Sequence, residues 1–305
     1  MAPTFDVTPE ARATPGAFLK RQLFRSPPVI KQGDANLAGK TIIITGSNTG
    51  LGLECARQLL DLGLSRLILA VRNESKGAAA RTDLATGRTT KQTIDVWKLD
   101  LDSYDSIAAF AQRASTLDRL DVLIHNAGLM KASFGRNAAT GHEEVFQVNY
   151  LSMALLAILM LPVLRDKNKN PNTPGRLVLV SSDTAAWAPF KERHSTPMFP
   201  AFDDANTFVA SERYWSSKLL GHMFLMELAK RVPSSVAVVN ATNPGMCRGT
   251  GLSQDLSGAS VVAAKVIGRV IGRSTALGAR ALTDAAVKHG RETHGQYMED
   301  GKVQP

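Results

Sequence analysis

At 305 residues, with 44% hydrophobic and 21% charged residues, the chain can bury a sizeable core, which excludes wholesale disorder; α/β sheets of roughly 200 to 300 residues form one body, so one domain is expected. The formal charge of +9 suits a polyanionic partner, yet the basic residues are scattered without a run of five like charges, so nucleic acid is not the expected partner; a phosphate-rich cofactor accounts for the charge more economically. Cys55 and Cys247 form no CxxC pair and the six histidines no ligand-spaced cluster, so no metal is expected and a reducing, cytoplasmic compartment fits.

Residues 1–39 precede any regular alternation and read as an N-terminal extension. Pro3, Pro9 and Pro15 interrupt its start, which has no apolar core of signal-peptide length. Phe18, Leu19, Leu23, Phe24 and Ile30 stand among Lys20, Arg21 and Arg25, so 17–25 predicts a small basic amphipathic helix ending before Pro27 and Pro28. Its apolar face has two destinations: the body of the protein, the plainer reading, or a membrane surface.

From Lys40 onward, short aliphatic runs alternate with helical stretches. Strands are expected near 41–46, 66–71, 93–99, 121–125, 176–181, 235–241 and 295–298. Helices are expected at 51–62, 74–85, 103–117, 141–165, 211–231, 256–271 and 276–288, where apolar residues recur at spacings of three and four. Right-handed crossovers then give an α/β fold: a doubly wound, Rossmann-type sheet of about seven parallel strands with helices on both faces, in a single domain over 40–305. Ligands of such sheets lie beyond the carboxyl ends of the strands, so functional residues are sought there.

Three segments call for a reading of their own. The apolar stretch 151–164 has 14 residues, short of the ~20 that cross a bilayer, and reads as a buried or interface helix. RDKNKNPNTPG at 165–175 is a polar surface turn. The stretch near 183–210 holds Trp187, Phe190, Phe199, Phe202 and Phe208 with three prolines, too aromatic for a free linker, and is expected to pack as a wall or lid beside the site.

The first strand runs into TIIITGSNTGLGLECARQLL, where Gly46, Gly50 and Gly52, with Ser47, Asn48, Thr49 and Leu51 between them, occupy the bend from strand to helix. Glycine permits a tight turn and close approach of a pyrophosphate to free amides at the positive end of the helix. Three glycines in such a bend also serve structure alone, so this signal leaves both readings open. Further along, Tyr214 and Lys218 in YWSSK lie four apart on one helix face. An ammonium beside a phenol stabilises the phenolate and draws its pKa toward the working range, which makes the phenol a usable acid and base. Such a pair also arises by chance on exposed helices.

With VLIHNAG, ending in Asn126, Ala127 and Gly128, these motifs in their order resemble the short-chain dehydrogenase/reductase family. The resemblance covers about residues 40–299. It implies that Asn126, Ala127 and Gly128 stabilise the sheet and border the cofactor. It also implies that Tyr214 is the proton donor and acceptor, and that Lys218 lowers its pKa and holds the nicotinamide ribose. Ser182, after RLVLVSS, matches the serine that polarises substrate oxygen, and Asn149 in FQVNYLS the asparagine of a proton relay through water. Ser182 and Tyr214 stand further apart than in the simplest members, and the 183–210 insertion takes up the difference. Asp100 and Leu101 match residues around adenine; Pro244 and Gly245 match the turn near the nicotinamide. There the chain departs from the pattern, with Gly249 at the usual hydroxyl position and Thr250 one later, which puts the Thr250 contact in doubt.

Cofactor choice is argued from the end of the second strand, LILAVRN. A carboxylate there would bind the ribose hydroxyls of NAD; instead Arg72 stands beside Asn73, so NADP(H) is expected over NAD(H), with an exposed helix-start arginine as the plain alternative. LAVRNESKG, the leader and the aromatic insertion look most like the retinol-dehydrogenase-like branch and its fungal relatives of secondary metabolism. The resemblance therefore implies oxidoreduction between a ketone and a secondary alcohol, or an aldehyde and a primary alcohol, on a bulky hydrophobic substrate such as a polyketide or terpenoid intermediate. The substrate would be enclosed by the insertion and loop 246–262. Family members commonly pair through helices equivalent to 141–165 and 211–231, which implies a homodimer or homotetramer. Two other classes compete: a non-redox step such as cyclisation or dehydration on the same fold, and a non-catalytic NADP(H) sensor. The register of Asn149, Ser182, Tyr214 and Lys218 speaks against the sensor, because binding alone needs no serine and tyrosine in register.

Overall fold

The computed structural model describes residues 5–88, 91–168, 173–253 and 268–305. The strands are β1 Thr41–Thr45, β2 Arg66–Val71, β3 Thr93–Lys98, β4 Val122–His125, β5 Gly175–Val180, β6 Ala237–Asn243, β7 Tyr297–Glu299 and β8 Lys302–Gln304. They form one sheet in the order β3-β2-β1-β4-β5-β6-β7-β8. The first seven are mutually parallel, as the alternation implies. The eighth is an addition to the expected seven: β8 folds back antiparallel on β7, with Met298 opposite Val303. Asp300 and Gly301 between them both take positive φ, 49° and 77°, the backbone of a two-residue hairpin turn.

Central strands read TIIIT and RLILAV because both faces are covered. Alternate side chains feed two cores. Ile42, Ile44, Leu67, Leu69 and Ile124 pack with α3 Gly50–Asp61, α4 Glu74–Ala85 and α9 Thr275–Val287. Ile43, Ile68, Leu123 and Leu177 pack with α5 Tyr104–Ser115, α7 Ser152–Lys167 and α8 Ala210–Arg231. Each fully buried Ile or Leu contributes about 1.5–3 kcal/mol relative to exposure. Strand order reverses between β1 and β4, which opens a crevice at their carboxyl ends.

The helix expected at 141–165 starts at Glu144: α6 Glu144–Phe146 passes through one π-helical turn, Gln147–Leu151, into α7. By length and composition the run Glu144–Lys167 is apolar enough to cross a membrane, but most of it is buried, with Leu156, Met160 and Leu164 in the core. Most of the helix expected at 256–271, and part of the polar turn at 165–175, lie outside the described residues.

The insertion near 183–210 is four short 3-10 helices, Asp183–Trp187, Lys191–His194, Phe199–Asp203 and Ala205–Thr207. Two of its five aromatics pack inward. Phe190 and Phe202 are buried in a third core with Phe146 and Leu220, Phe146 and Phe202 stacked at 4.3 Å. Arg213 on α8 sits over the Phe202 ring at 4.9 Å and donates to Glu192 at 3.1 Å. The insertion needs its own core because short 3-10 turns bury little by themselves.

The leader forms α1 Pro9–Ala13 and α2 Pro15–Phe24, and packs on the body. It does so through the face not expected: Arg12 and Gln22 are buried, while Leu19, Leu23 and Phe24 are exposed. The surface beneath presents carboxylates and backbone groups. Arg12 and Arg21 pair with Glu299, and the Trp187 indole donates to Ala13 O at 2.7 Å.

Candidate active site

The glycine bend sits at the mouth of the crevice. Gly46 and Gly50 take φ of +64° and +60°, a conformation that favours glycine. A Cβ on Gly52 would come within 2.7 Å of both Asn126 Nδ2 and Gly46 O, so the bend closes on itself only without side chains. Thr49 makes no side-chain cap on α3, so the first-turn amides of Gly50, Leu51 and Gly52 are left for another acceptor. That cradle fits a pyrophosphate. Within it Asn48 is half-buried and Thr49 exposed, while Ser47 is fully buried, donating to Ile44 O at 2.8 Å, so its side chain serves the turn.

Asn126, Ala127 and Gly128 leave β4 beside this bend. Asn126 Nδ2 donates to Thr45 O and Gly46 O at 2.9 and 3.1 Å, and Thr45 Oγ1 accepts from the amides of Asn126 and Ala127. The motif thus ties the ends of β1 and β4 together. A Cβ on Gly128 would lie 3.1 Å from Asn149 Oδ1 and 3.7 Å from Lys218 Nζ, so glycine lets these two groups approach the chain.

Ser182 follows β5 and caps the first 3-10 turn. Its Oγ accepts from Thr184 N at 3.3 Å and from Thr184 Oγ1 at 3.0 Å, which leaves its own proton to point elsewhere. Tyr214 and Lys218 project from α8 toward it. Lys218 Nζ donates to Val180 O at 3.0 Å, at the end of β5, and lies 5.6 Å from the Tyr214 ring centre. Burial pushes the Tyr214 phenol above its ordinary range; the neighbouring Asp183 charge adds to this, and a hydrogen bond from Ser182 opposes it. Burial also pushes Lys218 down to about 8. Raised from its ordinary range, the Tyr214 phenol holds its proton near neutral pH.

Asn149 lies in the π-turn, where the irregular winding turns it inward. Its carboxamide is fully engaged as a donor, to Leu129 O at 2.8 Å and Ser217 Oγ at 3.1 Å, and accepts from Leu129 N at 2.9 Å. Beside Lys218 a cavity of about 20 Å³, bordered by Asn149, Ser181, Ser217, His125 and His222, has room for one water. Burial and the Lys218 charge push both histidines down to about 4, so they are neutral near pH 7.

Other expected contacts are divided. Arg72, with its side chain 68% exposed at the end of β2, pairs with Asp102 at 3.1 Å. Asn73 caps α4, accepting from Lys76 N at 2.9 Å, a structural duty. Asp100 Oδ1 accepts from Asp102 N at 3.2 Å; Leu101 is buried, and its carbonyl accepts from Ser152. Pro244 and Gly245 form a turn after β6, Gly245 with φ +75°. The same loop brings Thr250 against the glycine bend, 3.4 Å from a Cβ built on Gly50, so Thr250 stands at the cradle despite its shifted position. Burial pushes the Cys247 thiol up to about 12, an inert group. Sequence reasoning missed Thr184, Asp183, Ser217 and His222, whose signal is purely spatial; Thr45, opening TGSNTG, was readable as the partner of Asn126.

The family model described as short chain dehydrogenase matches residues 40–192. The short-chain dehydrogenase fogG of Aspergillus ruber is 49% identical over 311 aligned positions, spanning 100% of this chain and 89% of the relative. The short chain dehydrogenase/reductase mfmJ of Annulohypoxylon moriforme is 45% identical over 95% of this chain and 84% of its own. Among solved structures, an NADP active-site complex of RhlG from Pseudomonas aeruginosa superposes with a TM-score of 0.65 over 89% of this chain and 98% of that one, at 22% identity, a likeness of fold.

Proposed function

Because this chain belongs to the short-chain dehydrogenase family, a family of oxidoreductases that use nicotinamide cofactors, we propose that it is an NADP(H)-dependent enzyme interconverting a bulky apolar ketone and its secondary alcohol, or an aldehyde and its primary alcohol. The observation that carries the reading is convergence. Ser182 on the loop after β5, Tyr214 and Lys218 on α8, and Asn149 in the π-turn meet beside the glycine bend.

When bound, the cofactor supplies a hydride to the carbonyl carbon, or takes it back in the reverse direction. The residues of the chain manage the oxygen. Ser182, its lone pairs occupied by Thr184, holds its single proton toward the Tyr214 hydroxyl and turns it to the substrate oxygen when substrate binds. Tyr214 gives its hydroxyl proton to that oxygen as negative charge develops there, and the phenolate left behind is stabilised by the Lys218 ammonium. Reprotonation runs through Lys218 and the small cavity beside it. Both N–H groups of the Asn149 carboxamide are spent, so its share falls to carbonyl oxygen.

Trp187, Phe18 and Trp215 make edge contacts at 5.3 and 6.1 Å along the segment after Ser182, a wall suited to an apolar ring system. The fungal relatives favour a secondary-metabolite intermediate as substrate. Two free cysteines suit a reducing cytoplasm. Exposed Ile158, Met223 and Met226 on α7 and α8 suit a pairing face between two copies.

The test is titration with NADPH and NADH, followed by reduced-nicotinamide absorbance with a panel of apolar ketones. NADPH binding with ketone-dependent oxidation supports the reading; absence of binding overturns it, and binding without turnover favours the non-redox or sensor classes. Arg72→Ala separates the cofactors. An exposed ion pair is worth at most about 1 kcal/mol, so the guanidinium exchanges readily from Asp102 to a 2′-phosphate. The variant therefore loses about tenfold or more in NADPH affinity and little for NADH; equal losses would remove Arg72 from this role.

A further inference from the structure

Gln22 is 6% exposed near the end of α2, in a leader that the family match does not reach. A buried carboxamide must find partners, and this one finds the turn after β6. Nε2 donates to Met246 O at 2.9 Å and Ile271 O at 2.8 Å, while Oε1 accepts from Met246 N at 3.0 Å. One side chain therefore holds both backbone groups of Met246. Of the common side chains of this length, only a carboxamide donates twice and accepts once in this way.

Three observations tie this contact to the site. A Cβ on Gly245 would lie 2.8 Å from Gln22 Oε1 and 3.0 Å from Arg273 Nη1, so turn and leader meet without room for a side chain. Arg273, itself buried, donates to Pro244 O at 3.2 Å and to the carbonyls of Arg21 in α2 and of Arg25 just after it at 3.3 and 2.9 Å, a second link between the same turn and helix. From there the loop runs to Thr250 against Gly50. On its other side Arg21 reaches Asp183, the neighbour of Ser182, at 3.8 Å. Thus α2 bridges the two loops that leave β5 and β6.

We propose that α2 is a working part of the active site, with Gln22 as a positioning residue that locks the 244–246 turn and so fixes the surface on which the nicotinamide end of the cofactor rests. This rests on the cofactor reading above. Gln22→Met keeps the volume and removes all three hydrogen bonds. The full-length variant is titrated with NADPH and with adenosine 2′,5′-bisphosphate, which lacks the nicotinamide end. NADPH binding weakens about tenfold, bisphosphate binding stays within about twofold, and the Met246 amide exchanges faster.

Equal affinity for NADPH in variant and wild type overturns the role of Gln22, and so does an equal loss for both ligands, which is the mark of general destabilisation. If the wild type binds neither nucleotide, the cofactor reading itself has failed. Should Gln22→Met not fold, Gln22→Glu keeps the acceptor for Met246 N–H but sets a carboxylate against two carbonyls, and the same selective loss of NADPH is expected.

Discussion

Tyr214→Phe lowers the turnover number roughly a hundredfold or more while NADPH binding is nearly unchanged. The substitution removes one oxygen from a ring that is 8% exposed and leaves the packing of α8 in place. Burial and the Asp183 charge keep the phenol protonated through neutral pH, so in the parent every molecule carries the proton to be given. In the variant Ser182 still faces the substrate oxygen but has no partner to resupply it. Single-turnover oxidation of bound NADPH reads the chemical step apart from product release; a rate near that of the parent would refute Tyr214 as the donor.

Lys218→Met weakens two things together. Turnover falls by roughly a hundredfold and NADPH affinity by about tenfold, because the ammonium both stabilises the developing phenolate and is the donor nearest the ribose in the family reading. The parent adds a pH signature. Lys218 is pushed down to about 8 by burial, so it is charged below that pH and neutral above it. Reduction leaves a phenolate on Tyr214, which needs the positive charge; reductase activity therefore falls as pH rises through about 8. His125 and His222, both pushed down to about 4, stay neutral across this range and add no limb there. The limb is absent from Lys218→Met. A variant with unchanged turnover, affinity and pH profile would reduce Lys218 to a strut that holds Val180 O.

Much of the candidate site is legible in the sequence. Gly46, Gly50 and Gly52 announce themselves by turn chemistry, Tyr214 and Lys218 by helical spacing, and Asn126 by its place at a strand end, since each signal is local. The Asp300-Gly301 pair was an equally local hairpin signal that announced β8 and went unused. Phe190 and Phe202 illustrate the opposite case. Their composition indicates burial but not against what, and the answer, Phe146 and Leu220, lies on other elements. Arg72 is intermediate: its position at the end of β2 follows from the strand pattern, its partner Asp102 does not.

From sequence alone came the parallel sheet, the crevice at its carboxyl ends and the family, because strand periodicity, glycine in tight turns and residues four apart on a helix are properties of neighbouring positions. Tertiary structure alone decided which face of the leader is buried, that Gln22 grips Met246 across 224 positions, and that burial pushes the Tyr214 phenol upward. Burial and distant hydrogen bonds depend on which surfaces the whole chain brings together, and no local spacing encodes the dielectric around a phenol.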